Sequence, residues 1–383
     1  MAITARHRAY RFRCYPTLEQ ARQLVQTFGC VRLVYNMALD ARAKAWYRRQ
    51  ERVNYVQTSA LLTKWKRRND LAFLNEVSSV PLQQALRHLQ HAYAGFFEKR
   101  TDYPHFKRKR VGTGSAEYTK SAFTFRAGEL RLAKQADPLR IRWSRPLPHG
   151  SEPTMVTVSR DASGRWFVSM LIEEDIPTLP ERGEAVGVDA GLSALFTLST
   201  GERIVNPRHE RGDRARIRQR QQALSRKRKG SNNYHKAQIR LARAHARVAD
   251  RRRDFLHKLT TRLVRENQVI AVEDLNVRGM LSNHTLARAI ADASWSTFRR
   301  MLEYKAEWYG RDLVVVDRFM PSSKICSACG TIKRTMPLNA RTFTCSDKAC
   351  GHVEDRDANA AKNILAAGLA VAACGDGVRP KRS

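Results

Sequence analysis

Four cysteines near the end of the chain constrain its fold more than any other feature. They form two close pairs, Cys326-x2-Cys329 and Cys345-x4-Cys350, separated by a polar arm of fifteen residues. This spacing is typical of a zinc ribbon, in which four thiolates close a tetrahedral structural site with no open position. An iron–sulfur site is the alternative, because four cysteines also suit a cluster. The second pair is wider than the usual C-x2-C, and His352 is close enough in sequence to replace Cys350 as the fourth ligand.

The charge of the chain predicts a polyanionic partner. The 383 residues include 70 Lys+Arg against 36 Asp+Glu, a formal net charge of +34 at neutral pH. Such an excess repels itself in a compact fold unless a polyanion neutralises it, which makes nucleic acid the leading partner. A merely well-solvated surface would carry mixed signs and a far smaller net charge. A hydrophobic content of 42% excludes a chain that is disordered throughout.

The composition also indicates where the protein works. The first sixteen residues lack the apolar core of a signal peptide, and the longest apolar run, residues 364–373, is too short to span a bilayer. Cys14, Cys30 and Cys374 are scattered singly, which fits a reducing compartment. We therefore expect a cytoplasmic protein with no membrane partner.

The N-terminal half alternates between strand and helix patterns. Residues 10–15 (YRFRCY) predict a strand with one basic face, and a helix follows from Thr17, with Gln20 at the capping-box position. Further helical patterns cover residues 58–68 and 82–99, and period-two alternation dominates residues 122–173. The pattern predicts a small β-barrel (residues 1–37 and 119–178) into which a helical recognition subdomain (residues 38–118) is inserted.

The C-terminal half places three acids at the ends of buried elements. Asp189 and Glu273 close apolar strands, and Asp357 opens an alanine-rich final helix. A carboxylate beside an apolar strand is costly unless it is paired or binds metal, and carboxylate oxygens select Mg²⁺ or Mn²⁺. Two such ions would stabilise the attacking and leaving oxygens of a phosphodiester displacement. Taken singly, each acid is more often a cap or turn residue; together they outline a ribonuclease-H-like nuclease core.

These segments give an α+β multidomain protein. The nuclease core is expected over residues 183–320 and 353–368, with the zinc ribbon inserted at residues 321–352 and a disordered tail at residues 369–383.

Several cationic segments are candidates for nucleic-acid contact. The segment at residues 103–110 (YPHFKRKR) interleaves rings with cations, which suits phosphate contact with base stacking, although an ordinary exposed loop has the same composition. Two basic helical stretches, residues 211–229 and 236–253, predict a helical hairpin that contacts the phosphates of a nucleic acid. The alternative is a helix face that is exposed to solvent. The candidate contacts are Lys107, Arg108, Lys109 and Arg110 in the first segment, and Arg226, Arg228, Arg240, Arg243, Arg247 and Arg251 in the hairpin.

Several motifs resemble the transposon-encoded TnpB family along nearly the whole chain. They include GVDAGLSALFTLSTGE, VIAVEDLNVRGM, the cysteine insert, DRDANAAKNIL and, near the N-terminus, FRCYPTLEQ. The resemblance implies an RNA-guided DNA endonuclease with a RuvC nuclease domain, related to the type V CRISPR effectors. It assigns the catalytic acids to Asp189, Glu273 and Asp357, and it leaves aside the neighbouring Asp274 and Asp355. The C-x4-C pair departs from the family pattern in this detail of the ribbon. The resemblance also implies a bacterial protein that is associated with the nucleoid when it is on DNA.

The resemblance further implies two Mg²⁺ or Mn²⁺ ions in the nuclease site and one structural Zn²⁺. The implied partners are a noncoding guide RNA from the transposon, with one protein per RNA, and double-stranded target DNA cut beside a short flanking motif. Tyr55 and Gln83 match positions that read this motif, or else they simply cap or pack helices. The alternatives are a nuclease-inactive RNA-guided repressor and a guide-independent transposase.

Overall fold

A computed structural model describes residues 3–109, 113–337 and 339–373, which form two compact units. The first unit comprises Ala5–Asp175, and the second comprises the described residues from Ile176 onward together with residues 3 and 4. Within these residues, no helix combines the length and the apolar character needed to cross a membrane.

The first unit contains a sheet, a hairpin and three α-helices. In chain order the elements are β1 (Ile3–Cys14), α1 (Leu18–Arg49), α2 (Tyr55–Lys66), α3 (Ser79–Phe97), β2 (Gly114–Thr119), β3 (Phe123–Arg126), β4 (Glu129–Leu132), β5 (Ile141–Arg142), β6 (Pro153–Arg160) and β7 (Trp166–Pro177). The predicted capping box at the start of α1 is confirmed: Thr17 Oγ1 accepts from the Gln20 N–H, and Gln20 Oε1 accepts from the Thr17 N–H. The helices follow β1 in the chain as predicted, but α1 is continuous across the predicted boundary at residues 37 and 38.

The strand β1 has the two faces that its alternation predicts. Tyr10, Phe12 and Cys14 are buried, whereas the guanidinium groups of Arg11 and Arg13 lie over the ring of Phe167, 3.8 and 5.1 Å from its centroid. The strand is longer than the predicted segment, because it begins at Ile3.

The predicted small β-barrel is not closed. The five strands run in the order β2-β6-β7-β1-β5, and within the described residues the edge strands β2 and β5 do not pair with each other. Helices cover the sheet instead: α1 and α3 pack on β2, so closely that a Cβ added at Gly114 would lie 2.3 Å from the ring of Phe28. The opposite edge, β5, is only two residues long and offers little to pair with. Helix packing therefore buries the apolar surface that barrel closure would have buried.

The second unit is built on another five-stranded sheet. Its elements are β8 (Ala185–Ala190), β9 (Ala194–Leu198), β10 (Arg203–Val205), α4 (His209–Ser225), α5 (Asn232–Glu266), β11 (Val269–Glu273), α6 (Val277–Met280), α7 (Ala287–Ala293), α8 (Trp295–Tyr309), β12 (Asp312–Val316), β13 (Thr342–Thr344), β14 (Val353–Asp355) and α9 (Arg356–Ala373). The sheet order is β10-β9-β8-β11-β12. An antiparallel meander of β8, β9 and β10 continues into β11 and β12, which run parallel to β8. The two apolar strands that the sequence predicts before Asp189 and Glu273 are β8 and β11 of this sheet.

The final helix packs directly on this sheet. A Cβ at Gly187 in β8 would lie 2.1 Å from the carbonyl oxygen of Ala361, and one at Gly368 would lie 2.5 Å from the Cβ of Ala271 in β11. Glycine at both contact points thus lets helix and sheet backbones approach closely. The helix extends to Ala373, so the predicted disordered tail is wrong for residues 369–373; residues 374–383 lie outside the described part of the chain.

Candidate functional site

Three carboxylates meet at one edge of the second sheet. Asp189 lies near the end of β8, Glu273 is the last residue of β11, and Asp357 lies in the first turn of α9. Because β8 and β11 are parallel, with Val188 opposite Val272, their carboxyl ends lie side by side. The packing of α9 on both strands brings the third acid to the same edge. The structure thus brings together the three acids that the sequence singles out.

The electrostatics of this cluster centre on Asp189. Burial, and then the neighbouring carboxylates of Glu273 and Asp357, raise the pKa of Asp189 to about 8, against a smaller opposing effect of Arg356. A buried carboxyl among like charges resists ionisation unless cations neutralise the group. The donor set consists of carboxylate oxygens, which are the ligands that Mg²⁺ and Mn²⁺ prefer. The chemistry of the donor set, rather than any measured ligand geometry, therefore suits a divalent cation.

Asp355, the acid just before the final helix, caps that helix. Its Oδ1 accepts hydrogen bonds from the backbone N–H groups of Asp357 and Ala358, both at 3.1 Å. Arg203 in β10 lies nearby, with Nη2 3.3 Å from Asp355 Oδ2 and 3.5 Å from Asp357 Oδ2. Sequence reasoning missed Arg203, because its approach to the acids depends on how α9 docks on the sheet.

Asp274, the acid next to Glu273, is neutralised by arginines. Its Oδ1 accepts from Arg299 Nη1 at 2.5 Å, and Arg318 forms an ion pair with its Oδ2. Burial alone would raise the pKa of Asp274, but the hydrogen bonds from Arg299 and Arg318 hold it below its ordinary value. Asp274 is thus a satisfied ion-pair residue, unlike Asp189.

The four paired cysteines form one compact cluster. Their sulfur atoms all lie within 4.8 Å of one another, with Cys326 Sγ 3.8 Å from Cys350 Sγ and Cys329 Sγ 3.6 Å from Cys345 Sγ. Tetrahedral coordination with metal–sulfur bonds of about 2.3 Å separates sulfur atoms by roughly 3.8 Å. These distances fit a single metal ion, and they are too long for disulfides.

The side chain of His352 contacts polar groups outside the cysteine cluster. Its Nε2 lies 3.2 Å from Ser327 Oγ and 3.3 Å from Glu354 Oε2. The antiparallel pair β13 and β14 holds this second knuckle, since the Cys345 N–H donates to the carbonyl of His352. Cys350 is therefore the fourth sulfur of the cluster, as the primary sequence interpretation has it.

A basic stripe on α5 divides into two parts. It is formed by four of the predicted contacts, which are spaced three or four residues apart: Arg240, Arg243, Arg247 and Arg251. Arg240, Arg243 and Arg247 of α5 line a groove together with Arg216 and Arg220 of α4. Five cationic side chains around one groove favour an anionic ligand with repeated charges.

Arg251, the fourth residue of the stripe, instead joins the two helices. Its Nη1 lies 2.8 Å from Oδ2 of the buried Asp213 in α4. Arg226 caps the C-terminus of α4, and Arg228 is exposed in the turn that follows.

In the first unit, the segment after α3 is fastened to α1. Asn36 Oδ1 accepts from the Lys107 N–H at 2.8 Å, and Asn36 Nδ2 donates to the Lys107 carbonyl at 3.0 Å. The Lys107 ammonium lies 4.0 Å from the centroid of the Tyr35 ring. Arg108 and Lys109 are exposed beside this anchor, whereas Arg110 lies outside the described residues.

The two residues predicted to read a flanking motif lie on neighbouring helices. Tyr55 is the first residue of α2 and is half-buried, with the guanidinium of Arg87 in α3 5.2 Å from its ring centroid. Gln83 is exposed one helical turn before Arg87. Their predicted role stays a prediction.

Comparisons with known proteins agree along the chain. Three family models match: "Helix-turn-helix domain" at residues 1–51, "Probable transposase" at residues 167–284, and "Cas12f1-like, TNB domain" at residues 295–364. A structure titled "Cryo-EM structure of the Cas12f1-sgRNA-target DNA complex" matches with a TM-score of 0.58 and 12% identity, covering 94% of this chain and 99% of that one. This likeness shows a shared fold.

Two relatives match over nearly their whole length. A Streptomyces pristinaespiralis protein named "Putative RNA-guided DNA endonuclease" is 63% identical over 375 residues, covering 98% of this chain and 92% of the relative. The Escherichia coli protein "Putative RNA-guided DNA endonuclease InsQ" is 31% identical, covering 98% and 96%. With the motifs and the fold in agreement, the chain belongs to the TnpB (OrfB) family of transposon-encoded proteins.

Proposed function

We propose that this protein is an RNA-guided, divalent-metal-dependent DNA endonuclease. The observation that carries the proposal is the placement of Asp189, Glu273 and Asp357 at one edge of the sheet, where partial burial and the two neighbouring carboxylates raise the pKa of Asp189 to about 8. Three neighbouring carboxylates destabilise a fold that holds no cation. Their oxygens are suitable ligands for cations, which indicates a functional site. The names of the relatives support the same activity.

In the proposed mechanism, Asp189, Glu273 and Asp357 would hold two Mg²⁺ or Mn²⁺ ions. When bound, such ions activate water and stabilise the leaving 3′-oxygen of a phosphodiester. Asp355 orients Asp357 by capping the first turn of α9, because its Oδ1 accepts from two backbone N–H groups there. Arg203 offsets part of the negative charge at the mouth of the cluster. The intact set of acids favours the nuclease over a nuclease-inactive repressor.

The cysteine cluster would hold one Zn²⁺ ion. Four thiolates at these distances suit tetrahedral coordination and leave no open position, so the ion would be structural. The predicted domain bounds, with the ribbon between residues 321 and 352, remain part of this proposal.

A noncoding RNA from the transposon and its target DNA are the proposed partners, with one protein per RNA in the cytoplasm. The arginines of α4 and α5 would contact phosphates, so the paired guide and target would be recognised by shape and charge, and base pairing would read the sequence. Tyr55 and Gln83 are proposed to read the flanking motif.

The direct test is to express the gene with its 3′ flank, sequence the RNA that co-purifies, and offer a plasmid with a guide-matched target and randomised flanks. We expect one discrete RNA and Mg²⁺-dependent cutting of the matched plasmid only. Cutting that ignores the guide match, or the absence of a defined RNA, would contradict guided cleavage and favour a guide-independent enzyme.

The basic groove gives a separate prediction. Changing Arg240, Arg243 and Arg247 to glutamine together should flatten the slope of log Kd for RNA against log salt by about 2, since each lost phosphate contact contributes about 0.7. The matched control is Arg251→Gln, which removes the ion pair with Asp213. That variant should have a lower melting temperature than the wild type. Its slope should differ from the wild-type slope by less than about 0.7, the contribution of one phosphate contact. Equal slopes for the triple variant and the wild type would exclude this groove as the phosphate site.

A further inference from the structure

The loop between β12 and the first cysteine touches a proposed catalytic acid. Ser322 in this loop is buried, with 7% of its surface exposed, and its Oγ donates a hydrogen bond to Glu273 Oε1 at 2.6 Å. A hydroxyl that donates to a carboxylate makes one of the stronger kinds of protein hydrogen bond. This bond occupies one of the two oxygens of Glu273.

Two buried asparagines on α9 hold this loop in place. Asn363 Nδ2 donates to the carbonyl of Ser322 at 2.8 Å and to that of Ile325 at 2.7 Å. Asn359 Nδ2 also donates to the Ile325 carbonyl, at 2.7 Å, while its Oδ1 accepts from the Ser327 N–H at 2.9 Å. The asparagines are four residues apart, so both lie on one face of the helix.

Helix α9 therefore carries one of the acids and also holds the residue that contacts a second acid. Asp357 lies in its first turn, and Asn363 fixes the backbone of Ser322, which bonds Glu273. Ile325, to which both asparagines donate, directly precedes Cys326 of the cysteine cluster. Hydrogen bonds from α9, together with the backbone of residues 322–326, thus connect the cysteine cluster to Glu273.

We propose that Ser322 is a positioning residue that fixes the carboxylate of Glu273 for cation binding, and that the asparagine-held loop links this function to the cysteine cluster. The proposal rests on the proposed function. Glu273 ends a strand beside Asp189, where like charge favours rotation of its flexible side chain away from the cluster. A hydrogen bond from a buried, backbone-anchored hydroxyl opposes that rotation. Supporting bonds of this kind typically change metal affinity by about 10–100-fold.

The test compares Ser322→Ala with Ser322→Thr, which keeps a hydroxyl, and with Ser323→Ala, the same deletion one residue along the chain. The readout without activity is Mn²⁺ binding to the RNA-bound protein, followed by electron paramagnetic resonance. We expect Ser322→Ala to weaken Mn²⁺ binding by about 10-fold or more, Ser322→Thr to restore most of it, and Ser323→Ala to match the wild type. Single-turnover cleavage of matched DNA should require correspondingly more Mg²⁺ for Ser322→Ala.

A second variant tests the link to the loop. Asn363→Ala removes the donor to the Ser322 carbonyl, so it should weaken Mn²⁺ binding in the same direction. Melting temperatures and zinc content, measured on every variant, separate misfolding from loss of positioning. Equal Mn²⁺ affinity in folded Ser322→Ala and wild-type protein would overturn the proposal, as would a weakened affinity that threonine fails to restore.

Failure of this proposal is distinguishable from failure of the nuclease assignment. Asp189→Asn is measured alongside. If Asp189→Asn fails to cut while Ser322→Ala binds Mn²⁺ and cuts normally, only the positioning role is wrong. If Asp189→Asn cuts normally, the nuclease assignment itself is wrong.

Discussion

Asp189→Asn should abolish DNA cleavage and, at the same time, stabilise the protein in the absence of divalent cations. We expect the single-turnover rate to fall on the order of a thousandfold or more, because an amide is a poor replacement for a carboxylate ligand. RNA retention and binding of matched DNA should persist, since Asp189 is not among the residues that line the α4–α5 groove. A loss of activity combined with a gain in stability is the pattern expected of a residue kept for function.

The gain in stability should depend on pH in a defined direction. The pKa of Asp189 is about 8 in the folded protein and about 4 in an unfolded chain, so between these values the folded state binds more protons. The stability of the metal-free wild type therefore falls as pH rises from about 4 to about 8, and the Asp189→Asn variant would escape this loss. The difference in melting temperature between variant and wild type should grow across this window and then level off.

Asp274→Asn is the matched control for stability. This acid is adjacent to Glu273, but its pKa is lowered in the folded protein, since the hydrogen bonds from Arg299 and Arg318 outweigh the effect of burial. Its removal should destabilise the protein at neutral pH. The contrary result is a lower melting temperature for Asp189→Asn than for the wild type at pH 8 without metal. It would show that ionised Asp189 does not destabilise the metal-free protein.

Cys326→Ser should prevent metal binding at the cysteine cluster and disable the nuclease. Cys326 is almost fully buried, and its predecessor Ile325 accepts hydrogen bonds from Asn359 and Asn363 on the helix that carries Asp357. The binding of a structural Zn²⁺ ion contributes on the order of 10 kcal/mol to the folding of small zinc domains. Its loss should unfold the knuckles locally and loosen the start of α9. Metal analysis should find one zinc per wild-type chain and less than a tenth of that in the variant.

His352→Ala is the control for the identity of the ligands. Because His352 Nε2 contacts Ser327 and Glu354, this variant should retain its metal. Cobalt substitution would then give the same thiolate charge-transfer absorption in His352→Ala and wild type. A lost or altered absorption would assign the fourth position to the histidine instead of Cys350.

The acids were predictable from sequence because two physical rules fix their place. A carboxylate at the end of an apolar strand is conspicuous in the sequence, and the parallel pairing of β8 with β11 in the structure brings Asp189 and Glu273 to one edge of the sheet. The cysteine spacing is equally local. The third acid follows because Gly187 and Gly368 allow α9 to lie close to the sheet.

Features that depend on long-range docking could not be predicted in this way. Alternation over residues 122–173 predicts strands, but whether they close a barrel depends on the helices that cover the sheet. Likewise, Arg251 looks like every other arginine of its stripe until Asp213, on a different helix, is placed beside it. Ser322 carries no sequence signal, because its contact with Glu273 spans 49 residues.

The most direct test of the central claim is an anomalous difference map from crystals of the RNA-bound protein grown with Mn²⁺ and a matched, uncleavable DNA. We predict manganese peaks between the carboxylates of Asp189, Glu273 and Asp357, close to the scissile phosphate. A map without manganese at these three acids, in crystals where the DNA is in place, would contradict the assignment of this cluster as the nuclease centre.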